Sequence, residues 1–126
     1  MKSKIPLEVR GTKDDFIPFY TSLNSDSKLY KSITDTINLI KKDPTRGDHV
    51  AHNKIPSYYI KKYKIKTLFR IELIDYWRLL YSIQTFDDIG IGILVLDALD
   101  HEKYNKRFGY KSWLSSNIQL CRIQIC

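Results

Sequence analysis

Leu68-Phe69-Arg70-Ile71-Glu72-Leu73-Ile74-Asp75-Tyr76-Trp77-Arg78-Leu79-Leu80-Tyr81-Ser82-Ile83 reads as two strands with a tight, Asp-containing turn between them. Side chains on a strand alternate between faces, so Phe69, Ile71 and Leu73 share one side, as do Trp77, Leu79, Tyr81 and Ile83. Arg70, Glu72, Arg78 and Ser82 project from the other. Period two alone thus predicts a sheet with one apolar face and one polar face, the polar face carrying two arginines on adjacent strands.

Working outward, Ile91 to Leu96 is a third strand-like segment, joined to the second by Asp- and Gly-containing residues. Upstream, Leu29, Ile33, Ile37 and Ile40 recur at helical spacing from the turn cluster Asn24-Ser25-Asp26-Ser27 until Asp43-Pro44 ends the run. That apolar stripe is expected to pack on Ile71, Leu79 and Tyr81. Before it, Phe16, Phe19, Tyr20 and Leu23 mark a helix that Pro18 keeps short, late-starting or kinked, with Thr12 as cap and Asp15 at the capping-box position. Leu7-Glu8-Val9-Arg10, ended by Gly11, suits a first strand. A polar loop spans 44 to 54, Pro56 opens a short basic helical turn from Ser57 to Tyr63, and His101 to Phe108 forms a last helical turn. From Tyr110 onward the pattern changes, although Ile118, Leu120, Ile123 and Ile125 could add an edge strand. The expected fold is α+β: an N-terminal strand, two helices, then an antiparallel three-strand meander packed on the helices.

One domain's worth of chain, 126 residues with sixteen aromatics, can bury a core without covalent staples. Cys121 and Cys126 fall within the last six residues, where a bridge would close only a short tail loop, so a reducing compartment is expected. No signal-peptide pattern follows Met1, and the longest gapless apolar run that lacks glycine, Ile93 to Leu96, is far shorter than a membrane span. These features predict a soluble cytoplasmic protein. Lys and Arg outnumber Asp and Glu by 21 to 14, a net charge of +7, which makes a polyanion the first partner to consider. Between Asp48 and Glu72 there is no acidic residue, and Lys54, Lys61, Lys62, Lys64, Lys66 and Arg70 fall in that window among Tyr58, Tyr59 and Tyr63.

Lys54-Ile55-Pro56 after the loop, Phe69-Arg70-Ile71-Glu72-Leu73 on one strand, Trp77-Arg78-Leu79-Leu80-Tyr81 on the next and His101-Glu102-Lys103-Tyr104 after the last resemble the marks of the RelE/ParE toxin superfamily. The likeness treats residues 1–110 as the toxin domain and 111–126 as a tail of unknown role. It implies the toxin of a type II toxin-antitoxin system, a ribosome-dependent endoribonuclease that cuts mRNA without metal or other cofactor, by attack of the 2′-hydroxyl on the neighbouring phosphate. It also implies an acidic antitoxin as partner. Arg78 corresponds to a family arginine at the scissile phosphate, Arg70 to a basic residue on the preceding strand, and Tyr104 to a C-terminal tyrosine. Glu72 departs from the pattern, standing where one branch has a second basic residue. A ParE-like toxin acting on gyrase, or a non-catalytic RNA- or ribosome-binding protein, are the alternatives.

Internal transfer needs a base for the 2′-hydroxyl proton, a cation against the charged phosphorane and an acid for the leaving oxygen. His101 suits base or acid because imidazole changes charge near neutrality, and it equally suits a solvated cap residue. Glu72 is either a base or a cross-strand ion-pair partner of Arg78. Arg78 can hold a phosphate with two parallel bonds, and Tyr104 can stack a base or donate its hydroxyl. The lysines at 54, 61, 62, 64 and 66, with Lys103, are expected to anchor phosphates rather than catalyse. His49 and His52, with only Asp48 nearby, are too few for zinc. Asp97 and Asp100, flanking the end of the last strand, are expected to cap the His101 helix rather than bind magnesium.

Overall fold

A computed structural model describes residues 7–109. The tail, its candidate edge strand and both cysteines lie outside that range. Nine principal elements follow in order: β1 (Val9–Gly11), α1 (Phe16–Ser22), α2 (Lys28–Lys42), β2 (Asp48–His49), α3 (Ser57–Tyr63), β3 (Phe69–Glu72), β4 (Arg78–Phe86), β5 (Gly90–Leu99) and α4 (His101–Phe108). Single 3-10 turns lie at His52–Lys54 and Ile74–Tyr76.

The expected strand, two helices and three-strand meander is corrected by the sheet itself. It has five strands in the order β1-β5-β4-β3-β2, with helices on both faces. β3, β4 and β5 pair antiparallel as anticipated, but β1 joins β5 in parallel, with Val9 opposite Ile93, and β2 adds Asp48 and His49 to the far edge. A parallel neighbour requires a crossover connection, here the chain through α1, α2 and beyond, so no local pattern announces it.

The longer helix, α2, forms for the reasons its sequence gives. Ser27 caps α2 by accepting from the Tyr30 amide at 3.1 Å, and Lys41 and Lys42 sit in its last turn, where a positive charge meets the negative end of the helix dipole. Ile33 and Ile40 are fully buried against Leu79 and Tyr81, with Leu29, Ile37 and Ile71 packed at the margin, as the stripe requires. In the seven-residue α1, Pro18 falls in the first turn, where its missing N–H costs no helical bond. The expected capping box is not formed: Asp15, not Thr12, is the N-cap and its carboxylate accepts from Tyr58 and Tyr63 instead, while Thr12 Oγ1 accepts from the Phe16 amide at 2.8 Å.

The opposite face is where periodicity misleads. Leu80, Leu94, Leu96 and Leu99 line it and join Tyr59 from α3, Tyr104 from α4 and Ile55, Ile65 and Leu68 in a second core. Ser82 is fully buried there as well. The charged side chains of this face, Arg70, Glu72, Arg78 and Asp97, lie among these apolar ones. A β-bulge helps to build it: Leu80 pairs with Asp97 and Tyr81 with Val95, so Leu96 is extra and both Leu96 and Asp97 turn toward the helices. The apolar pattern ends the strand at Leu96, whereas the bulged strand continues to Leu99.

Candidate functional site

Arg70 on β3 and Arg78 on β4 meet over one tyrosine. The Arg78 guanidinium carbon lies 4.8 Å from the centre of the Tyr104 ring and that of Arg70 5.8 Å, while Arg70 Nη1 donates to the Tyr104 hydroxyl at 2.5 Å. Tyr104 is carried there by α4, which Asp100 caps by accepting from the Lys103 amide and which ends at Gly109, a left-handed residue with φ 78°. Because Tyr104 is only 3% exposed, its ring is a floor for the two cations and has no free face for a base.

Carboxylates stand beside both arginines without closing on them. Glu72, directly across from Arg78 in the strand register, approaches to 3.6 Å, and Asp48, across from Arg70, to 3.8 Å. Both are far more exposed than their partners, at 69% for Glu72 and 77% for Asp48. Such long, wet ion pairs contribute little and yield readily to a better anion. Arg78 is otherwise aimed by the Tyr76 carbonyl, which accepts from Nη1 at 2.9 Å. The arrangement can therefore take a phosphate between two forks, each oriented by neutral groups.

The structure thus brings Arg70, Arg78, Tyr104 and Glu72 together. His101 opens α4 two residues past Leu99, the β5 residue opposite Arg78, and is exposed; its Nε2 lies 3.3 Å from the Asn105 amide nitrogen. No hydrogen bond or ion pair among the described residues joins it to the arginine cluster.

Lys54, Lys61, Lys62, Lys64, Lys66 and Lys103 are all exposed. Lys62 is not available as the others are: it lies 3.5 Å from Asp14 and 3.8 Å from Asp15, and donates to the Tyr58 hydroxyl at 3.1 Å. Lys64 ends α3 in left-handed backbone and donates one proton to the Lys61 carbonyl at 2.9 Å. Lys103 shares a shallow depression of about 260 Å³ with Lys106 and Arg107, two cations that the sequence motifs do not single out. Among the described residues no three His, Cys, Asp or Glu side chains are grouped as a metal site would group them, and no helix is long and apolar enough to cross a membrane.

Asp97 does not cap α4, as its position before His101 suggested. Buried inside β5, it accepts from the Tyr59 hydroxyl at 3.0 Å and from Arg107 at 3.3 Å, tying α3, β5 and α4 together. Burial pushes its carboxyl up to about 6, with the negative charge of Asp15 adding to the effect, against the opposing pull of Tyr59 and Arg107. Tyr59 is likewise pushed up, by burial first and then by the charge of Asp97. Between the ordinary value of 3.8 and about 6 the folded protein keeps a proton that the unfolded chain has lost. Stability from this group is therefore full below that window and declines as pH rises through it, by on the order of 2–3 kcal/mol. Asp97→Asn should abolish that decline, gaining on the wild type between about pH 4 and about pH 7 in urea unfolding. An unchanged difference between the two proteins across that range would show that the carboxylate is ionised at no cost.

Comparison of the chain with protein-family models, with curated proteins and with solved structures gave no match. The functional reading accordingly rests on the site and on the sequence motifs.

Proposed function

We propose that the chain is an endoribonuclease toxin of the RelE/ParE kind, acting on mRNA in the ribosome, with Arg78 and Arg70 against the phosphate at the cut. The observation that carries this reading is the convergence of two guanidiniums from adjacent strands on a buried tyrosine, each facing an exposed carboxylate that a phosphate can displace. Glu72 and His101 are the groups of the right chemistry for proton transfer near that point. An acidic antitoxin would cover the same cations. Cleavage of mRNA on programmed ribosomes, read by primer extension, tests the proposal directly; intact message after prolonged incubation with active ribosomes would refute it.

A non-catalytic RNA- or ribosome-binding role is favoured by one observation: among the described residues, His101 bonds to Asn105 and not to the arginine cluster. It predicts tight, salt-sensitive binding with no cut product.

Both readings route the strand along the basic segment. Lys61→Gln, Lys64→Gln and Lys66→Gln together should weaken binding of single-stranded RNA and lower the slope of log affinity against log salt by about 2, at roughly 0.7 for each phosphate left without its cation. Lys62 is left in place because its charge is already met by Asp14 and Asp15. An unchanged slope would make these lysines a plain solvated surface.

A further inference from the structure

The turn between β3 and β4 is closed by the Trp77 amide donating to the Ile74 carbonyl at 3.2 Å and the Leu73 amide donating to the Trp77 carbonyl at 2.8 Å. Two successive residues within it, Asp75 and Tyr76, have left-handed backbone, with φ of 57° and 65°. Glycine adopts that conformation freely and aspartate tolerates it, whereas in tyrosine it crowds the Cβ against the carbonyl oxygen. Chain reversal alone would favour glycine at position 76. Nor is the ring there to fill the core: at 74% exposed, Tyr76 is the most exposed large hydrophobic side chain among the described residues. Its own carbonyl, meanwhile, is the acceptor that aims Arg78. A strained backbone, a solvent-facing ring and a bond to the phosphate-facing arginine thus fall on one residue.

We propose that Tyr76 is a stacking platform for an unpaired RNA base beside the phosphate held by Arg78, an inference that rests on the proposed RNA-binding role of the arginine cluster. An aromatic face next to a cationic cradle is the arrangement that holds single strands: cations track the backbone and a ring takes the base, with little regard for which base it is. A protein partner would ask for something else. Docking surfaces present a contiguous apolar patch, whereas the chain neighbours of Tyr76 are the exposed Asp75 and the half-buried Trp77, and the one other exposed apolar side chain in the turn is Ile74, at 37%. The stacking role that the sequence offers to Tyr104 is closed by burial, whereas among the described residues Tyr76 presents an exposed ring near Arg78. Because the strain is held in the folded state, function and stability at this position oppose each other.

That opposition supplies the test. Wild type, Tyr76→Gly and Tyr76→Phe are compared for binding of a single-stranded octaribonucleotide and for thermal unfolding. Tyr76→Gly should unfold at a higher temperature yet bind the oligonucleotide on the order of tenfold more weakly, with the salt slope unchanged because no cation is removed. Tyr76→Phe should bind as the wild type does. Equal binding by the glycine variant and the wild type overturns the stacking role while leaving the arginine cluster as an RNA site. Loss of an acidic protein partner with RNA binding intact also overturns it, in favour of a protein contact. If the wild type binds neither the oligonucleotide nor ribosomes, the RNA reading and this inference fall together.

Discussion

Arg78→Ala should slow mRNA cleavage on programmed ribosomes by about a hundredfold or more, the usual loss when one donor facing developing charge is removed, and should leave the fold intact. Arg78 is the better protected of the two guanidiniums, its side chain 15% exposed against 34% for Arg70, so its field on a bound phosphate is less screened by water. Its removal opens no core cavity. What disappears structurally is the cation over the Tyr104 ring and a bond to the Tyr76 carbonyl, worth about 1 kcal/mol at a largely protected surface position. Arg78→Lys should rescue only in part, since it keeps the charge but not the fork or the flat contact with the ring. A cleavage rate equal to wild type in Arg78→Ala would remove Arg78 from the chemistry.

The proton-transfer groups separate in the same assay. Glu72→Gln keeps the size and exposure of the side chain while abolishing both its basicity and its ion pair, so a large loss of rate with binding retained assigns it as the base. Because an exposed pair 3.6 Å apart contributes little to stability, a change in rate cannot be ascribed to unfolding. His101→Ala is expected to cost rate as well. If it does not, the imidazole that opens α4 is a helix-end residue, as its hydrogen-bond contact with Asn105 would suit.

How far the sequence carried the fold is visible in particular elements. The α2 stripe and the apolar face of β3 and β4 were legible because each is local: periodicities of 3.6 and 2 name the buried face without knowledge of the partner. That Arg70 and Arg78 project from one face was legible for the same reason, although in the register Arg70 stands opposite Leu80 and Arg78 opposite Glu72. β1 was read as a strand but not as the parallel neighbour of β5, which depends on a contact more than eighty residues distant in sequence. The place of Asp97 inside β5 is not legible, because a bulge changes the phase of the strand at Leu96 and nothing in Ile93-Leu94-Val95-Leu96-Asp97 announces it. Nothing in the sequence marks Tyr76, because backbone strain has no signature in an Asp-Tyr pair.

Leu80→Ala should destabilise the protein by about 2–5 kcal/mol, on a face that period-two reading labels polar. Alternation groups Arg70, Glu72, Arg78 and Ser82 on that face but leaves open what lies above it. In the fold, α3 and α4 lie above it, and Leu80 is fully buried between them together with Tyr59, Leu68, Leu96, Leu99 and Tyr104. Leu79→Ala, one residue earlier and equally buried, empties space in the other core, beneath α1 and α2, and should cost a similar amount. The two variants part company in where they loosen the molecule. A cavity at Leu80 undercuts Tyr104 and therefore the floor on which both arginines rest, so amide exchange in α4 should accelerate and RNA binding should weaken. A cavity at Leu79 should speed exchange in α2 and spare α4 under conditions where both proteins remain folded. Equal protection of α4 in the two variants would mean that the second core does not hold the site in place, and that the convergence of Arg70, Arg78 and Tyr104 is fixed by the β-sheet alone.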